Sequence, residues 1–184
     1  MEQKALRKTL WEEAGKAGLV LGAVSSVYLF LTQILGNIEM PEILTMLATT
    51  ILWAAKFGGC IWLMMYFMKK FVRLNPSVCN STTYKFGMAV SVLSALVYAA
   101  ASFANTAFFS ADMINENMNL LMEQMAPMMD SNSMNQMNEM MAKLPQITFF
   151  SNLFYCIIYG SCLSFILSRN IPSRNPFEDN KSEW

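Results

Sequence analysis

The sequence contains no histidine, which excludes histidine-based catalytic triads and the usual histidine zinc sites. Charge is scarce as well: Asp, Glu, Lys and Arg make up 14% of the 184 residues against 54% hydrophobic residues, a balance that points away from water. The scarcity is concentrated. Residues 17–35, 43–68, 86–109 and 147–168 hold no Asp or Glu, so no carboxylate proton relay can run through them. No phosphate-cradling glycine loop occurs in the chain. Of the four cysteines, Cys60, Cys156 and Cys162 fall inside these stretches and Cys79 lies between the second and third, a placement that predicts no disulfide framework.

What is present is a set of long apolar runs. Each is 19 to 26 residues long, and at roughly 1.5 Å per residue each can cross a hydrocarbon core of about 30 Å. The sequence therefore predicts an all-α polytopic membrane protein with four transmembrane helices, a single integral membrane domain over 1–184 with no room for a separate soluble catalytic domain. A basic start before an apolar run also fits a cleaved signal peptide. The run from Ala17 is longer than a signal core, however, and Thr32 to Asn37 offers no small-x-small cleavage site, so it reads as a retained first helix with Trp11 at the interface.

Retained positive charge orients such spans. Lys4, Arg7, Lys8 and Lys16 precede the first span, Lys69, Lys70, Arg73 and Lys85 lie between the second and third, and Arg169, Arg174 and Lys181 follow the fourth. The other two connections share only Lys143 and carry Glu39, Glu42, Asp112, Glu116, Glu123, Asp130 and Glu139. This alternation places the tails, 1–16 and 169–184, in the cytoplasm. The segment 110–146 is then extracytoplasmic. Its apolar residues recur at helical spacing, Ile114, Met118, Leu121, Met122 and Met125, then Met134, Met137, Met140, Met141 and Leu144. Pro127 divides the two sets, Asp130 to Ser133 supplies a start signal, and Pro145 marks an end, which predicts an amphipathic helical pair at the membrane surface. The C-terminal tail contains Asn175-Pro176-Phe177, a trafficking-type tripeptide read as a chance occurrence.

Helices in lipid associate through close packing, so small residues four apart mark contact faces. Such rows are Ala14, Gly18, Gly22 and Ser26; Ala55 and Gly59; Gly87, Ser91, Ala95 and Ala99; and Gly160, Ser164 and Ser168. They serve packing within one chain or, for Gly18 and Gly22, a homo-oligomer seam. Lys56 is the one ionisable residue deep in a span, where it costs roughly 2.5–3.5 kcal/mol on insertion scales. Its neighbours Thr49, Gly59 and Cys60 make a small polar face, and Ser25, Ser26, Tyr98, Tyr155 and Tyr159 supply hydroxyls at similar depth. Glu42 is too far to pair with it, roughly 21 Å along the same helix. Binding residues are accordingly expected at Lys56, Ser26, Tyr98 and Tyr159, either as a satisfied packing cluster or as an anion or polar-solute site. A Ser–Lys pair with Ser25 or Ser26 is chemically available but has no surrounding motif, and no catalytic residue is assigned.

Methionine is abundant. Met122, Met125 and Met128, then Met134, Met137 and Met140, place thioethers along helical faces, either as soft ligands for extracytoplasmic Cu(I) or as adaptable apolar packing. Packing is the expected role, and no cofactor is expected. The basic start running into the first span, the sequence Thr83-Tyr84-Lys85-Phe86-Gly87 at the head of the third, and the long acidic helical segment before the last resemble the family called domain of unknown function 4199, small membrane proteins mainly of Bacteroidota. The resemblance implies a bacterial inner-membrane protein and transfers no activity. The expected function is non-enzymatic, through helix packing and contact with lipid and a membrane-protein partner, with no nucleic-acid partner. The alternatives are a small-solute or anion transport element using Lys56, and an extracytoplasmic Cu(I)-binding protein.

Overall fold

The computed structural model describes residues 2–36, 38, 41–76, 78–125 and 130–171, which form helices and no strand. Met128, Pro127, Arg174, Lys181 and the Asn175-Pro176-Phe177 tripeptide lie outside the described residues. Helix α1 runs Glu2–Gly36, α2 Glu42–Leu74, α3 Asn80–Ala104, α4 Ala111–Met125, α5 Ser131–Ala142 and α6 Leu144–Asn170. Four helical stretches are long and apolar enough to span a bilayer, Leu6–Gly36, Ile43–Leu74, Asn80–Phe109 and Leu144–Asn170. The protein is a multi-pass membrane protein.

These helices outrun the apolar runs because nothing stops them at the membrane boundary. The polar residues that flank each run, such as Lys69, Lys70 and Arg73 on α2, are good helix formers and continue the backbone ladder. The third span is the exception. Its α-helix ends at Ala104, and Asn105–Phe109 forms a single π turn in which the Ser110 N–H donates to the Asn105 carbonyl at 2.8 Å. The Asn105 side-chain amide also donates to Ser110 Oγ at 3.2 Å, which braces the turn and redirects the chain into α4. Asp130 caps α5, its Oδ1 accepting the Ser133 N–H at 3.0 Å. Pro145 does not close α5, which ends at Ala142. It sits in the first turn of α6, where its missing N–H removes no helical bond.

Helix α3 is central, packed along α1 on one side and α6 on the other, while α2 leans on α1 and touches α3 and α6 only briefly. Small residues make this close packing. A methyl added to Gly160 would fall 2.5 Å from Ser91 Cβ and Oγ, and one added to Gly87 would fall 2.9 Å from Ser164 Oγ. The two helices thus exchange a serine for a glycine in each direction. The serine hydroxyls lie 3.3 Å apart and each donates back to its own helix, Ser91 to the Gly87 carbonyl and Ser164 to the Gly160 carbonyl. On the opposite side, a methyl at Gly18 would meet Leu93 Cβ at 2.7 Å and one at Gly22 would meet Val97 Cβ at 2.6 Å.

Two expectations about these rows are corrected. Gly18 and Gly22 face α3 of their own chain, so this row is not free to form a homo-oligomer seam. The row on α2 does not pack at all: Ala55 is exposed and a methyl at Gly59 would meet nothing within 4 Å. The buried part of α2 is confined to Met64, Met68 and Phe71, and the Phe71 ring stacks on Phe86 with centroids 4.2 Å apart. With Leu10, Val78, Leu167 and Ile171 these residues form one core at the end where the basic residues gather. Toward the other end α2 diverges, and Ile43, Met46, Ile51 and Trp53 are exposed. In a bilayer such side chains contact lipid, which is as apolar as they are.

Candidate functional site

Because α2 is held only near its C-terminal end, a cavity of about 70 Å³ remains among the four spanning helices, enough for several waters. Lys56 lines it with Ser25 from α1, Ser94 from α3 and Cys156, Tyr155 and Tyr159 from α6, and no carboxylate takes part. The cavity is not fully enclosed, and α2 and α6, which both line it, touch only briefly.

Lys56 is fixed by ring faces. Its Nζ lies 4.6 Å from the Tyr28 ring centroid and 4.7 Å from that of Tyr98, with Phe57 at 5.8 Å. Two such cation–π contacts contribute roughly 1–4 kcal/mol together, comparable with the insertion cost of about 2.5–3.5 kcal/mol, so the lysine is tolerated. A charge this deep with its donors unfilled still favours an acceptor. Among the described residues none hydrogen-bonds or ion-pairs with Lys56.

The four binding residues expected from sequence are brought together only in part. Tyr98 reaches Lys56 through its ring face rather than its hydroxyl. Tyr159 is in the cavity wall, edge-on to Phe57 at 5.4 Å and stacked on Tyr155 at 6.4 Å. Ser26 is not in the site, because its hydroxyl turns back to the Gly22 carbonyl at 2.8 Å. Ser25 Oγ lies 3.7 Å from Cys60 Sγ and joins α1 to α2. Neither serine is hydrogen-bonded to Lys56, so the Ser–Lys pair is not assembled. Tyr28 is the residue that hydroxyl-based reasoning passes over. It shares the depth of Ser26, but its contribution is a π face.

What the site offers chemically is a cation, the hydroxyls of Ser94, Tyr155 and Tyr159, which make no hydrogen bond to a described residue, and a mainly apolar wall. That set suits an electron-rich solute and repels a cation. The thioether positions do not converge in the same way. Met137 and Met140 line a groove among α4, α5 and the start of α6 together with Met118 and Met141, while Met122, Met125 and Met134 are not in its lining.

A family model described as "Protein of unknown function (DUF4199)" matches residues 16–169. The chain belongs to that family. The DUF4199 match begins on α1 at the start of the first span and ends on α6, and it includes every residue that lines the Lys56 cavity. Thr83-Tyr84-Lys85-Phe86-Gly87, the stretch that carries the resemblance, is where α3 meets its neighbours: Thr83 is buried, Phe86 stacks on Phe71 and Gly87 receives Ser164. No curated protein and no solved structure matches the chain at a significant level.

Proposed function

We propose that this DUF4199 protein is a non-enzymatic protein of the bacterial inner membrane that binds a small anion or polar solute in the cavity at Lys56. Both termini and the basic end of the bundle lie in the cytoplasm, and α4 and α5 lie on the extracytoplasmic face. The orientation rests on the eleven basic residues that gather at one end of the alternating spans. The binding reading rests on one observation: the Lys56 ammonium, held between the rings of Tyr28 and Tyr98, borders a cavity whose wall has hydroxyls and no carboxylate. A lysine that only pinned helices together would be enclosed by them. Here α2 is the loosest of the four.

The test is gentle purification of the full chain followed by mass analysis of small anions released on denaturation. Wild type should release an anion in near-stoichiometric amount and Lys56→Leu should not. Equal yields from the two would sink the reading.

A second reading, contact with a partner membrane protein, is favoured by the outward face of α2. Trp62 is more than half exposed at a depth where an indole N–H finds no water, and it stacks on the exposed Tyr66 at 5.9 Å. A partner helix with a hydrogen-bond acceptor would satisfy these groups. Cross-linking in native membranes that gives an adduct through α2 in wild type, and loses it in Trp62→Leu/Tyr66→Leu, would support this reading. An adduct pattern unchanged by those substitutions would remove it.

A further inference from the structure

At the basic end, Arg7, Lys69, Lys70, Arg73 and Lys85 form no ion pair with a described residue. Two of these cations, from different helices, share one groove. Arg7 of α1 and Lys85 of α3 line it with Leu6, Trp11 and Thr82, and Leu10 is buried at its floor. Its volume is about 550 Å³. Glu12 and Glu13 of α1 are engaged elsewhere, Glu12 with Lys8 at 3.8 Å and Glu13 with Lys16 at 2.7 Å, and neither lines the groove. The Thr82 hydroxyl makes no hydrogen bond to a described residue, whereas the adjacent Thr83 donates to the Cys79 carbonyl.

The groove lies at a definite level. On α1 it ends at Trp11, about 9 Å before the apolar run that starts at residue 17, and on α3 it straddles residue 86, where the third run begins. Both positions are the boundary between hydrocarbon and headgroups, the layer that indole side chains such as Trp11 prefer. Anionic lipids attract basic residues at this level by about 1 kcal/mol per Lys or Arg.

We infer that this groove binds one anionic phospholipid, its phosphodiester between Arg7 and Lys85 within reach of the Thr82 hydroxyl and its first acyl carbons along Leu6, Leu10 and Trp11. The apolar floor and the indole are what a free phosphate would leave unused. The comparison within the molecule is the patch of Lys69, Lys70, Arg73 and Tyr66, which has more positive charge but comes from one helix and has no leucine or alanine in its lining. This site is separate from the Lys56 cavity, since no residue lines both.

The test places the full chain in nanodiscs containing a photoactivatable phosphatidylglycerol or the matched phosphatidylcholine, with adducts mapped by mass spectrometry. Wild type should be labelled within residues 6–11 and 82–89 by the anionic lipid, about thirtyfold more than by the zwitterionic one, as two basic contacts imply. Arg7→Gln/Lys85→Gln should lose that excess, and Lys69→Gln/Lys70→Gln, which removes the same charge elsewhere, should keep it. Equal labelling of wild type by the two lipids would overturn the proposal. So would loss of the excess in the Lys69→Gln/Lys70→Gln protein, since that would mean diffuse attraction only.

Discussion

The seam between α3 and α6 and the seam between α2 and α6 belong to the same bundle and are built in opposite ways. In the first, Gly160 takes Ser91 and Gly87 takes Ser164, so the backbones approach closely and no space is left. In the second, the glycines of α2 meet nothing, aromatic rings replace small side chains, and a lysine stands beside a cavity. Close packing is the main attraction available to helices in lipid. The α1–α3–α6 assembly is therefore the rigid frame, and α2 is fastened to it at the Phe71 end and by the Lys56 contacts. A site that must admit a solute belongs at the weaker seam.

Four predictions press on this contrast, from the largest effect to the smallest. Gly160→Ala and Gly22→Ala should each destabilise the protein in detergent by about 1–3 kcal/mol, since the added methyl has no room to be accommodated. Gly59→Ala should be neutral or stabilise by up to about 1 kcal/mol through helix propensity alone. Thermal unfolding of the three variants reads both, and the opposite signs are the point: similar losses at Gly59 and Gly160 would break the contrast. Tyr28→Leu and Tyr98→Leu should each cost about 1 kcal/mol when Lys56 is present and little in a Lys56→Leu background, a coupling that a double-mutant cycle measures.

The last prediction concerns the acidic end. Hydrogen bonding from Ser133, side chain first and backbone N–H second, holds the Asp130 carboxyl below its ordinary value of 3.8. A lowered value means that the capping contribution is present at neutral pH and is lost as the pH falls below 3.8. Circular dichroism should show a small loss of helix on acidification in wild type and a smaller one in Asp130→Ala, with the bundle unfolding midpoint unaffected in the variant.

Much of the fold is legible because the bilayer imposes it. Span length and missing charge locate four helices, and small residues four apart locate the faces that touch on α1, α3 and α6. The same rule fails for Ala55 and Gly59, because a small-residue row permits close approach without requiring it, and α2 meets α6 through the rings of Phe57 and Tyr159 instead. Asn105 to Phe109 reads as apolar helix, and only the Asn105–Ser110 contacts reveal the π turn. At the site, Lys56 and Tyr98 are visible from depth, whereas Ser26 misleads because a serine inside a helix can satisfy itself on its own backbone. Tyr28 is hidden because a ring face carries no sequence signature. The groove of Arg7 and Lys85 is hidden too, since the two residues are far apart in sequence and meet only through the α1–α3 packing.

The most direct test of the central claim is thermal unfolding of wild type and Lys56→Leu across a panel of small carboxylates, phosphate, nitrate and neutral analogues. A ligand bound only to the folded state, at a hundred times its Kd, stabilises by about 2.7 kcal/mol. The account predicts that at least one anion raises the wild-type midpoint in a saturable way, that its neutral analogue does not, and that Lys56→Leu folds with an unchanged or higher midpoint and shows no response. An anion response preserved in Lys56→Leu, or no response from wild type to any anion in the panel, would contradict it.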